Sequence, residues 1–327
     1  MRAVVTGASG FLGGRLVQML SAQGAQVTIL ARSTSALRHL DGIQIRVVRG
    51  DLSDSKALAS ASQDATHIFH CAACSTDWAP KQVYIDANIL GTQNVVATAL
   101  AVPGLQRLVH VSTTDVYGYP ETPCSEDQPP VETALPYNQT KLKGERAVWS
   151  ASREHGLPVT ILRPATIYGP RGKDFTLDMA TLLRQRLMAY IDAGSAPGGF
   201  TYVDNVAQAM IDAAVHPQTI GQAYNISDGS GATWKQYLTL FAQQLGIKPP
   251  WINLPFDTAM ALAGLMESPH RLGLPGKPLL TRHAVYLLGR NQEFPIAKAQ
   301  SSFGFAPAID LPEGIRRSVS WLKSRRP

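Results

Sequence analysis

The sequence predicts an α/β fold in which a parallel sheet carries helices on both faces and a smaller lobe follows. From residue 2 to residue 112, short apolar runs alternate with runs of helical period, as expected for parallel strands joined by crossover helices. Three glycines, Gly7, Gly10 and Gly13, lie between the first predicted strand and the first predicted helix. From Pro164 onward proline and glycine become frequent, so we expect the chain to leave the sheet there.

Each strand is predicted from a short apolar run. The strands are Arg2 to Thr6, Gln26 to Ala31, Ile43 to Arg49, Thr66 to Cys71, Arg107 to Ser112 and Val159 to Arg163, with Phe200 to Val203 as a return strand. Helices are predicted where apolar residues recur with helical period. They are Leu12 to Gln23, Leu58 to Gln63, Tyr84 to Leu100, Tyr137 to His155, Val206 to Ala214 and Leu311 to Lys323. Asp204 and Asn205 are predicted to cap the helix that begins at Val206.

Composition limits the possible classes of function. The 327 residues are 45% hydrophobic and 17% charged, which is typical of a well-buried globular protein. The net charge of +6 is mild, and no run of Lys and Arg is dense enough for a nucleic-acid-binding arm, so we expect no nucleic-acid partner. The first strand begins at Arg2, which leaves no room for a signal peptide. The three cysteines suit a reducing compartment, and we expect a cytoplasmic protein.

Two segments have more than one interpretation. The apolar run at residues 259–266 predicts either a core helix or an interfacial patch, which leaves peripheral membrane contact through residues 256–266 open. Cys71 and Cys74 have the spacing of a CxxC pair. Because no second pair and no suitable histidine spacing accompanies them, we predict no metal site.

The glycine triplet predicts a site for the pyrophosphate of a dinucleotide. A chain that turns sharply from strand into helix needs glycine, and the close approach of a phosphate excludes a side chain. The backbone N–H groups at the start of the following helix would face the anion. We therefore predict that Gly7, Ser9, Gly10, Phe11 and Leu12 bind the cofactor, with a tight structural turn as the alternative.

This loop makes the predicted fold Rossmann-like, a doubly wound parallel sheet with a smaller C-terminal substrate lobe. Residues 1–167 are predicted to form the dinucleotide-binding domain, with a return segment at about residues 200–227. Residues 168–199 and 228–327 are predicted to form mainly the substrate lobe.

The residues after the second strand favour NADP(H) over NAD(H). NAD-binding folds place a carboxylate there for the adenosine ribose, but this sequence has Ala31, Arg32 and Ser33. A guanidinium suits a 2′-phosphate, so Arg32 and Ser33 are predicted to bind it, unless Arg32 stacks on adenine or faces solvent. Asp51 and Leu52 follow the third strand and are predicted to meet the adenine, although Asp51 could instead stabilise a turn.

Tyr137 and Lys141 lie one turn apart on a predicted helix and share a face. The phenol has a reference pKa of about 10, and the ammonium of Lys141 is expected to lower that pKa and make proton exchange practical. The hydroxyls of Ser112, Thr113 and Thr114 follow the fifth strand, where doubly wound folds bind ligands. One of them could donate to a substrate carbonyl oxygen, with capping of a local turn as the alternative.

These segments together resemble the extended short-chain dehydrogenase/reductases of the NAD-dependent epimerase/dehydratase superfamily. The matching segments, in that family's order, are Thr6 to Gly13, Asp51 to Leu52, His70 to Ala73, Asn88 to Val95, Ser112 to Gly118, Tyr137 to Lys141, Arg163 to Pro170 and Tyr202 to Ala207. The loop from Thr76 to Pro80 and the segment from Phe303 to Pro307 further resemble the branch of 3β-hydroxysteroid dehydrogenases and 2-alkyl-3-oxoalkanoate reductases. In the loop Ala79 replaces that branch's usual glycine.

The resemblance implies a seven-stranded sheet and roles for particular residues. It places the catalytic hydroxyl on Thr113, beside Tyr137 and Lys141. The further cofactor contacts it implies are Cys71, Ala72, Ala73, Tyr137, Lys141 and Pro164, and the substrate contacts are Trp78, Thr113, Thr114 and Tyr168. It also implies a homodimer formed through the helices at about residues 84–100 and 137–155. Dehydratases of that family carry Asp-Glu after the catalytic Thr, whereas this chain has Thr114 and Asp115.

We therefore predict an NADP(H)-dependent oxidoreductase that interconverts a secondary alcohol and a ketone on a hydrophobic substrate of the 3-oxo acid or 3-hydroxysteroid type. One alternative is a nucleotide-sugar epimerase with a tightly bound cofactor. Another is a non-catalytic NADP(H)-sensing binding protein, although such a protein has no need for Thr113, Tyr137 and Lys141 together.

Overall fold

The computed structural model describes residues 1–324. Its strands are β1 (Arg2–Thr6), β2 (Gln26–Ala31), β3 (Ile45–Arg49), β4 (His67–His70), β5 (Arg107–Val111), β6 (Val159–Pro164), β7 (Thr166–Tyr168), β8 (Ala189–Ile191), β9 (Phe200–Tyr202), β10 (Gln222–Ile226) and β11 (Ile252–Leu254). Its α-helices are α1 (Phe11–Ala22), α2 (Ser55–Ser62), α3 (Lys81–Tyr84), α4 (Gly91–Ala101), α5 (Pro136–His155), α6 (Met179–Arg184), α7 (Val203–Val215), α8 (Trp234–Leu245), α9 (Phe256–Arg271), α10 (Arg282–Gly289), α11 (Ala297–Phe303) and α12 (Leu311–Ser324).

Seven strands form the central sheet in the order β10-β6-β5-β4-β1-β2-β3, and all neighbours are parallel. The predicted Rossmann-like, doubly wound fold is therefore confirmed. From β1 the chain builds outward through β2 and β3, and then returns to place β4 on the other side of β1. The crevice at this reversal, at the carboxyl ends of the strands, is where doubly wound folds bind their ligands.

Apolar layers cover both faces of the sheet. On one face α1 and α7 pack together and bury side chains such as Leu16 and Met210. On the other face α2, α4 and α5 bury side chains such as Leu58 and Val148. Full burial of one such side chain contributes about 1.5–3 kcal/mol to folding, so these two layers hold the strand ends in fixed positions.

The return to the sheet differs from the prediction. The predicted strand at Phe200 is β9, but it pairs with β7 in a separate two-stranded sheet. The seventh strand is β10, whose sequence contains the polar residues Gln222 and Asn225 and so does not form a continuous apolar run. The polar side chain of Asn225 is buried, and two hydrogen bonds offset the cost of its burial. It accepts one from Tyr117 and donates one to the Cys124 carbonyl.

The predicted cap of α7 is wrong. The helix begins at Val203, one turn earlier than predicted, and no side chain caps its first turn. Asp204 instead accepts two hydrogen bonds from Arg15 of α1, at 2.7 and 2.8 Å. Asn205 donates to Asp228, also at 2.8 Å. Both polar side chains therefore make tertiary contacts, which a local capping pattern does not reveal.

The lobe beside the sheet contains α6, α8, α9 and α10, together with a π-helical turn at Lys173–Asp178. On α9 the side chains of Ala259 and Ala263 are fully buried, whereas Leu265 is 70% exposed. The core-helix interpretation of residues 259–266 thus holds for one face of α9. Within residues 1–324, no helix combines the length and apolar character that crossing a bilayer requires.

Candidate active site

A cavity of about 1230 Å³ lies at the carboxyl ends of β1, β4 and β5 and extends into the lobe. Its sheet side is lined by the glycine loop and by the residues that follow these three strands. Its lobe side is mainly apolar and includes Leu182, Leu187, Met188, Leu254, Leu262 and Leu287. One continuous space therefore joins a polar end at the sheet to an apolar end in the lobe.

The glycine loop has the backbone geometry that an anion site needs. Gly7 has a φ of 75°, and a Cβ there would lie 2.7 Å from the Ala72 nitrogen. A Cβ on Gly13 would collide with the Gly7 carbonyl. Helix α1 begins at Phe11 with no side-chain cap and no acidic residue in its first turn, so its first N–H groups are available to a phosphate. Ser9, Gly10, Phe11 and Leu12 all line the cavity.

Some of the residues predicted to contact the adenosine line the cavity, and others do not. Arg32 is exposed at the end of β2 and lines the cavity, whereas Ser33 is exposed and does not line it. Leu52 and Asp51 line the cavity after β3. The Asp51 carboxylate accepts hydrogen bonds from the backbone N–H and the hydroxyl of Ser53, at 2.8 and 2.6 Å. The Asp51 side chain therefore stabilises a turn, and its contact with adenine stays a prediction.

Three residues after β4, together with Pro164 at the end of β6, line the cavity, and all four were predicted to contact the cofactor. The three are Cys71, Ala72 and Ala73. Burial raises the pKa of the Cys71 thiol to about 12, so this sulfur is protonated and a poor nucleophile at neutral pH.

Lys141 is buried beneath the cavity on α5. Its Nζ donates a hydrogen bond of 2.7 Å to the carbonyl oxygen of Val111, at the end of β5. Burial lowers the pKa of Lys141 to about 8, and the carboxylate of Glu145 opposes that shift. The ammonium is thus held at the strand end where Thr113 and Thr114 follow.

Tyr137 lies on the same face of α5, one turn before Lys141, and also lines the cavity. Burial raises the pKa of Tyr137 above its usual value and the charge of Asp115 acts in the same direction, while a hydrogen bond with Thr113 opposes them. The pKa of Tyr137 is therefore raised and not lowered as expected, because desolvation is the largest influence on the phenol. Tyr137 is consequently a neutral phenol at physiological pH.

A buried network that the sequence did not predict supports Thr113 and Tyr137. Asp115 accepts hydrogen bonds from Thr113 Oγ1 at 3.1 Å, from the Tyr119 hydroxyl at 2.6 Å and from His283 Nε2 at 2.8 Å. Burial alone would raise the pKa of Asp115, but these partners, His283 foremost, hold it below its usual value. The His283 ring stacks on Tyr137 with centroids 5.5 Å apart.

Two predicted substrate contacts lie away from the cavity. Tyr168 is completely buried in an aromatic cluster of the lobe, edge-on to Phe200, Tyr202 and Tyr237. Trp78 is partly buried, packs edge-on against His270 and does not line the cavity. Thr113 and Thr114 do line it. The structure therefore brings together the residues predicted to be catalytic and most of those predicted to bind the cofactor, but not Ser33, Trp78 or Tyr168.

Comparison with known proteins agrees with this site. Residues 3–227 match the model of the NAD dependent epimerase/dehydratase family. A 4-hydroxy-2-methyl-3-oxo-4-farnesyl-3,4-dihydroquinoline-1-oxide ketoreductase of Stigmatella aurantiaca is 32% identical over 319 residues, which are 96% of this chain and 95% of that protein. A 2-alkyl-3-oxoalkanoate reductase of Stenotrophomonas maltophilia is 31% identical over 332 residues, which are 97% of this chain and 98% of that protein.

A solved structure, MoeE5 in complex with UDP-glucose and NAD, superposes with a TM-score of 0.78 at 26% identity and covers 99% of both chains. The family match spans more than half of this chain, and both relatives align over nearly its whole length. The chain therefore belongs to the NAD dependent epimerase/dehydratase family, as an extended short-chain dehydrogenase/reductase of the branch that oxidises or reduces CH–OH and keto groups.

Proposed function

We propose that this enzyme is an NADP(H)-dependent oxidoreductase that interconverts a secondary alcohol and a ketone on a hydrophobic substrate of the 3-oxo acid or 3-hydroxysteroid type, with Tyr137 as the acid or base. The observation that carries the proposal is the position of Tyr137, Thr113 and Lys141. All three line one cavity, between the glycine loop and the apolar wall of the lobe.

The residues present fit a dinucleotide. The uncapped start of α1 and the glycine loop suit its pyrophosphate, and the ammonium of Lys141 suits a ribose hydroxyl. Arg32 lines the adenosine end, and no carboxylate follows β2, which supports a 2′-phosphate and therefore NADP(H). When bound, NADPH supplies a hydride to a carbonyl carbon.

The pKa of Tyr137 supports the reducing direction. A neutral phenol can donate its proton to the substrate oxygen as negative charge develops there. The hydroxyl of Thr113 has a single O–H donor, which Asp115 accepts at 3.1 Å. To hold the substrate oxygen, Thr113 would turn this donor from Asp115 to the substrate. Preorganised donors of this kind supply much of the rate acceleration in such sites. The charge of Lys141 would favour the phenolate left after the transfer.

The apolar end of the cavity supports a hydrophobic substrate. The two relatives described above are named for the reduction of a farnesylated 3-oxo compound and of 2-alkyl-3-oxoalkanoates. Leucine and methionine side chains of the lobe line the corresponding space here and would bury an alkyl chain or a fused ring system.

A nucleotide-sugar epimerase remains the second candidate. The similarity to MoeE5, whose structure holds UDP-glucose and NAD, favours it. A sugar needs several hydrogen-bond partners, whereas leucine and methionine side chains form much of the lobe side of this cavity, and both lysines there are already paired with aspartates. The oxidoreductase is therefore the stronger proposal.

The test is NADPH oxidation by the purified enzyme with a panel of long-chain 3-oxo compounds and 3-oxosteroids. We expect turnover with one substrate class and slower turnover with NADH. Tyr137→Phe should lower kcat by at least about 10²-fold, because the proton donor is lost, while NADPH affinity stays near normal. Tyr190→Phe, on β8 away from the catalytic residues, is the matched control and should keep its activity.

Normal turnover by Tyr137→Phe would refute the catalytic assignment. If the enzyme consumes no NADPH and is purified with dinucleotide already bound, the epimerase candidate is correct and nucleotide sugars become the next panel. Binding of NADPH with neither turnover nor epimerisation would favour the sensing protein.

A further inference from the structure

Around the substrate end of the cavity, negatively charged side chains outnumber positively charged ones. The loop after β4 contributes Asp77, the π-helical turn contributes Lys173, Asp174 and Asp178, and the segment before α10 contributes Lys277. Three carboxylates thus face two ammonium groups.

Both ammonium groups already have partners. Lys277 pairs with Asp77 at 2.6 Å, and Asp77 also accepts a hydrogen bond from Thr281 at 2.8 Å. Lys173 pairs with Asp178 at 2.5 Å. These pairs join neighbouring segments of the cavity wall, and in each of them a carboxylate already matches the charge of the ammonium.

Asp174 is left without such a partner. Within residues 1–324 no side chain or backbone N–H donates a hydrogen bond to its carboxylate. Burial raises the pKa of Asp174 and the charge of Asp77 acts in the same direction, while Lys277 and Lys173 oppose them without reversing the shift. The charge of Asp174 also acts on the catalytic Tyr137.

The turn that carries Asp174 is held firmly. The carbonyl oxygen of Phe175 accepts a hydrogen bond from the Tyr237 hydroxyl at 2.5 Å, and the Thr176 hydroxyl accepts one from the Gly169 N–H at 3.2 Å. Thr176 is fully buried. Insertion of an extra residue into a helical turn, as in this π-helical segment, is frequent at functional sites. Asp174 is therefore presented to the cavity by a fixed backbone.

We propose that Asp174 is a specificity-determining residue that disfavours carboxylate-bearing ketones. Of the two substrate types in the proposed function, the preferred one would then be the uncharged hydrophobic ketone or its alcohol and not the free 3-oxo acid. An anionic substrate would meet the unpaired carboxylate of Asp174, while the charge of each nearby ammonium is already matched by another carboxylate. A substrate hydroxyl or N–H could instead donate to Asp174. This inference rests on the proposed function, because it narrows the substrate of the same cavity.

The experiment compares a long-chain 3-oxo acid with its methyl ester, a pair that differs in charge. Dissociation constants of both are measured on the NADP⁺ complex by titration calorimetry at about pH 7.5, where the free acid is ionised. Turnover of both with NADPH is measured in parallel. The variants are Asp174→Asn and the control Asp64→Asn, which removes a carboxylate that is exposed and outside the cavity.

We expect the ester to bind wild-type enzyme about tenfold more tightly than the acid, and Asp174→Asn to remove most of that difference by strengthening acid binding. Asp64→Asn should behave as wild type. Acid binding as tight as ester binding, an unchanged ratio in Asp174→Asn, or binding of neither ligand would overturn the inference. Selective ester binding without turnover of either compound would instead refute the proposed reaction and leave the role of Asp174 standing.

Discussion

Lys141, which we propose is catalytic, reduces the stability of the fold because its charge is buried. The side chain is buried, and its pKa falls from 10.5 to about 8. Between these two values the unfolded chain binds a proton that the folded chain does not. Stability therefore rises with pH across this window, and below about pH 8 the whole penalty for burying the charge is present.

Lys141→Met should abolish most activity and yet raise the free energy of unfolding by about 2 kcal/mol at neutral pH, since it removes a buried charge. The gain should shrink as the pH rises from about 8 towards 10.5, where wild-type Lys141 is neutral in the folded state. Urea denaturation at several pH values measures it. Lys143→Met, on the exposed face of the same helix, should show no such gain. A Lys141→Met protein less stable than wild type at pH 7 would contradict this account.

The proximity of Tyr137 and Lys141 was predictable from sequence, but the residues that surround them in the structure were not. Tyr137 and Lys141 are one helical turn apart, so a local pattern places them on one face. His283 and Asp115 lie 168 residues apart, and their contact depends on how the lobe docks against the sheet. Asp174 lies in a π-helical turn, which has no recognisable sequence period.

Helix α5 carries Tyr137 and Lys141, and a buried ion pair connects this helix to the sheet. The Glu145 carboxylate accepts hydrogen bonds from Arg163 of β6, from Ser112 at 2.5 Å and from Trp149 at 3.2 Å. The side chains of Arg163 and Glu145 are 5% and 1% exposed. Arg163 also donates to the Tyr117 hydroxyl at 2.7 Å, so residues of two family motifs meet here on α5.

Glu145→Ala should lower the free energy of unfolding by about 3 kcal/mol or more, because it leaves the Arg163 guanidinium buried without its counter-charge. The matched control is Glu132→Ala. Glu132 pairs with Arg146 of the same helix at 3.7 Å, but both side chains are well exposed, so its loss should be under about 1 kcal/mol. Chemical denaturation of both variants measures these losses. Equal losses in the free energy of unfolding would show that the buried ion pair stabilises the fold no more than the exposed one.

Element boundaries were predictable where local period decides them. The predicted strand from Gln26 to Ala31 is correct at both ends, and α5 differs from its prediction by one residue at its start. The predicted helix from Tyr84 to Leu100 is instead divided by a π-helical turn at Ile85–Leu90. Asn88 in that turn bonds Thr140 and the backbone of Cys74. This distortion follows from tertiary contacts, which no period in the sequence encodes.

At the scale of the whole molecule, helix α4 presents an exposed apolar surface on which the predicted homodimer could form. The helices α4 and α5 pack side by side on one face of the sheet. On α4 and the turn before it, Leu90 and Leu100 are 47% and 42% exposed, and Ala97 and Ala101 are exposed as well. Ala97 lies three residues before Leu100 and four before Ala101, so these three side chains share one side of the helix.

A second copy of the chain packed on this side would bury the exposed apolar stripe, and a stable dimer needs about 800 Å² from each partner. Leu100→Glu would place a charge within that interface and should convert the dimer to a monomer with an unchanged fold. Leu272→Glu introduces the same charge at another leucine, 90% exposed in the lobe, and should leave the dimer intact. Light scattering after size-exclusion chromatography gives the mass directly. A monomeric wild-type protein would refute the predicted dimer. A Leu100→Glu variant that stays dimeric would show that the interface lies elsewhere.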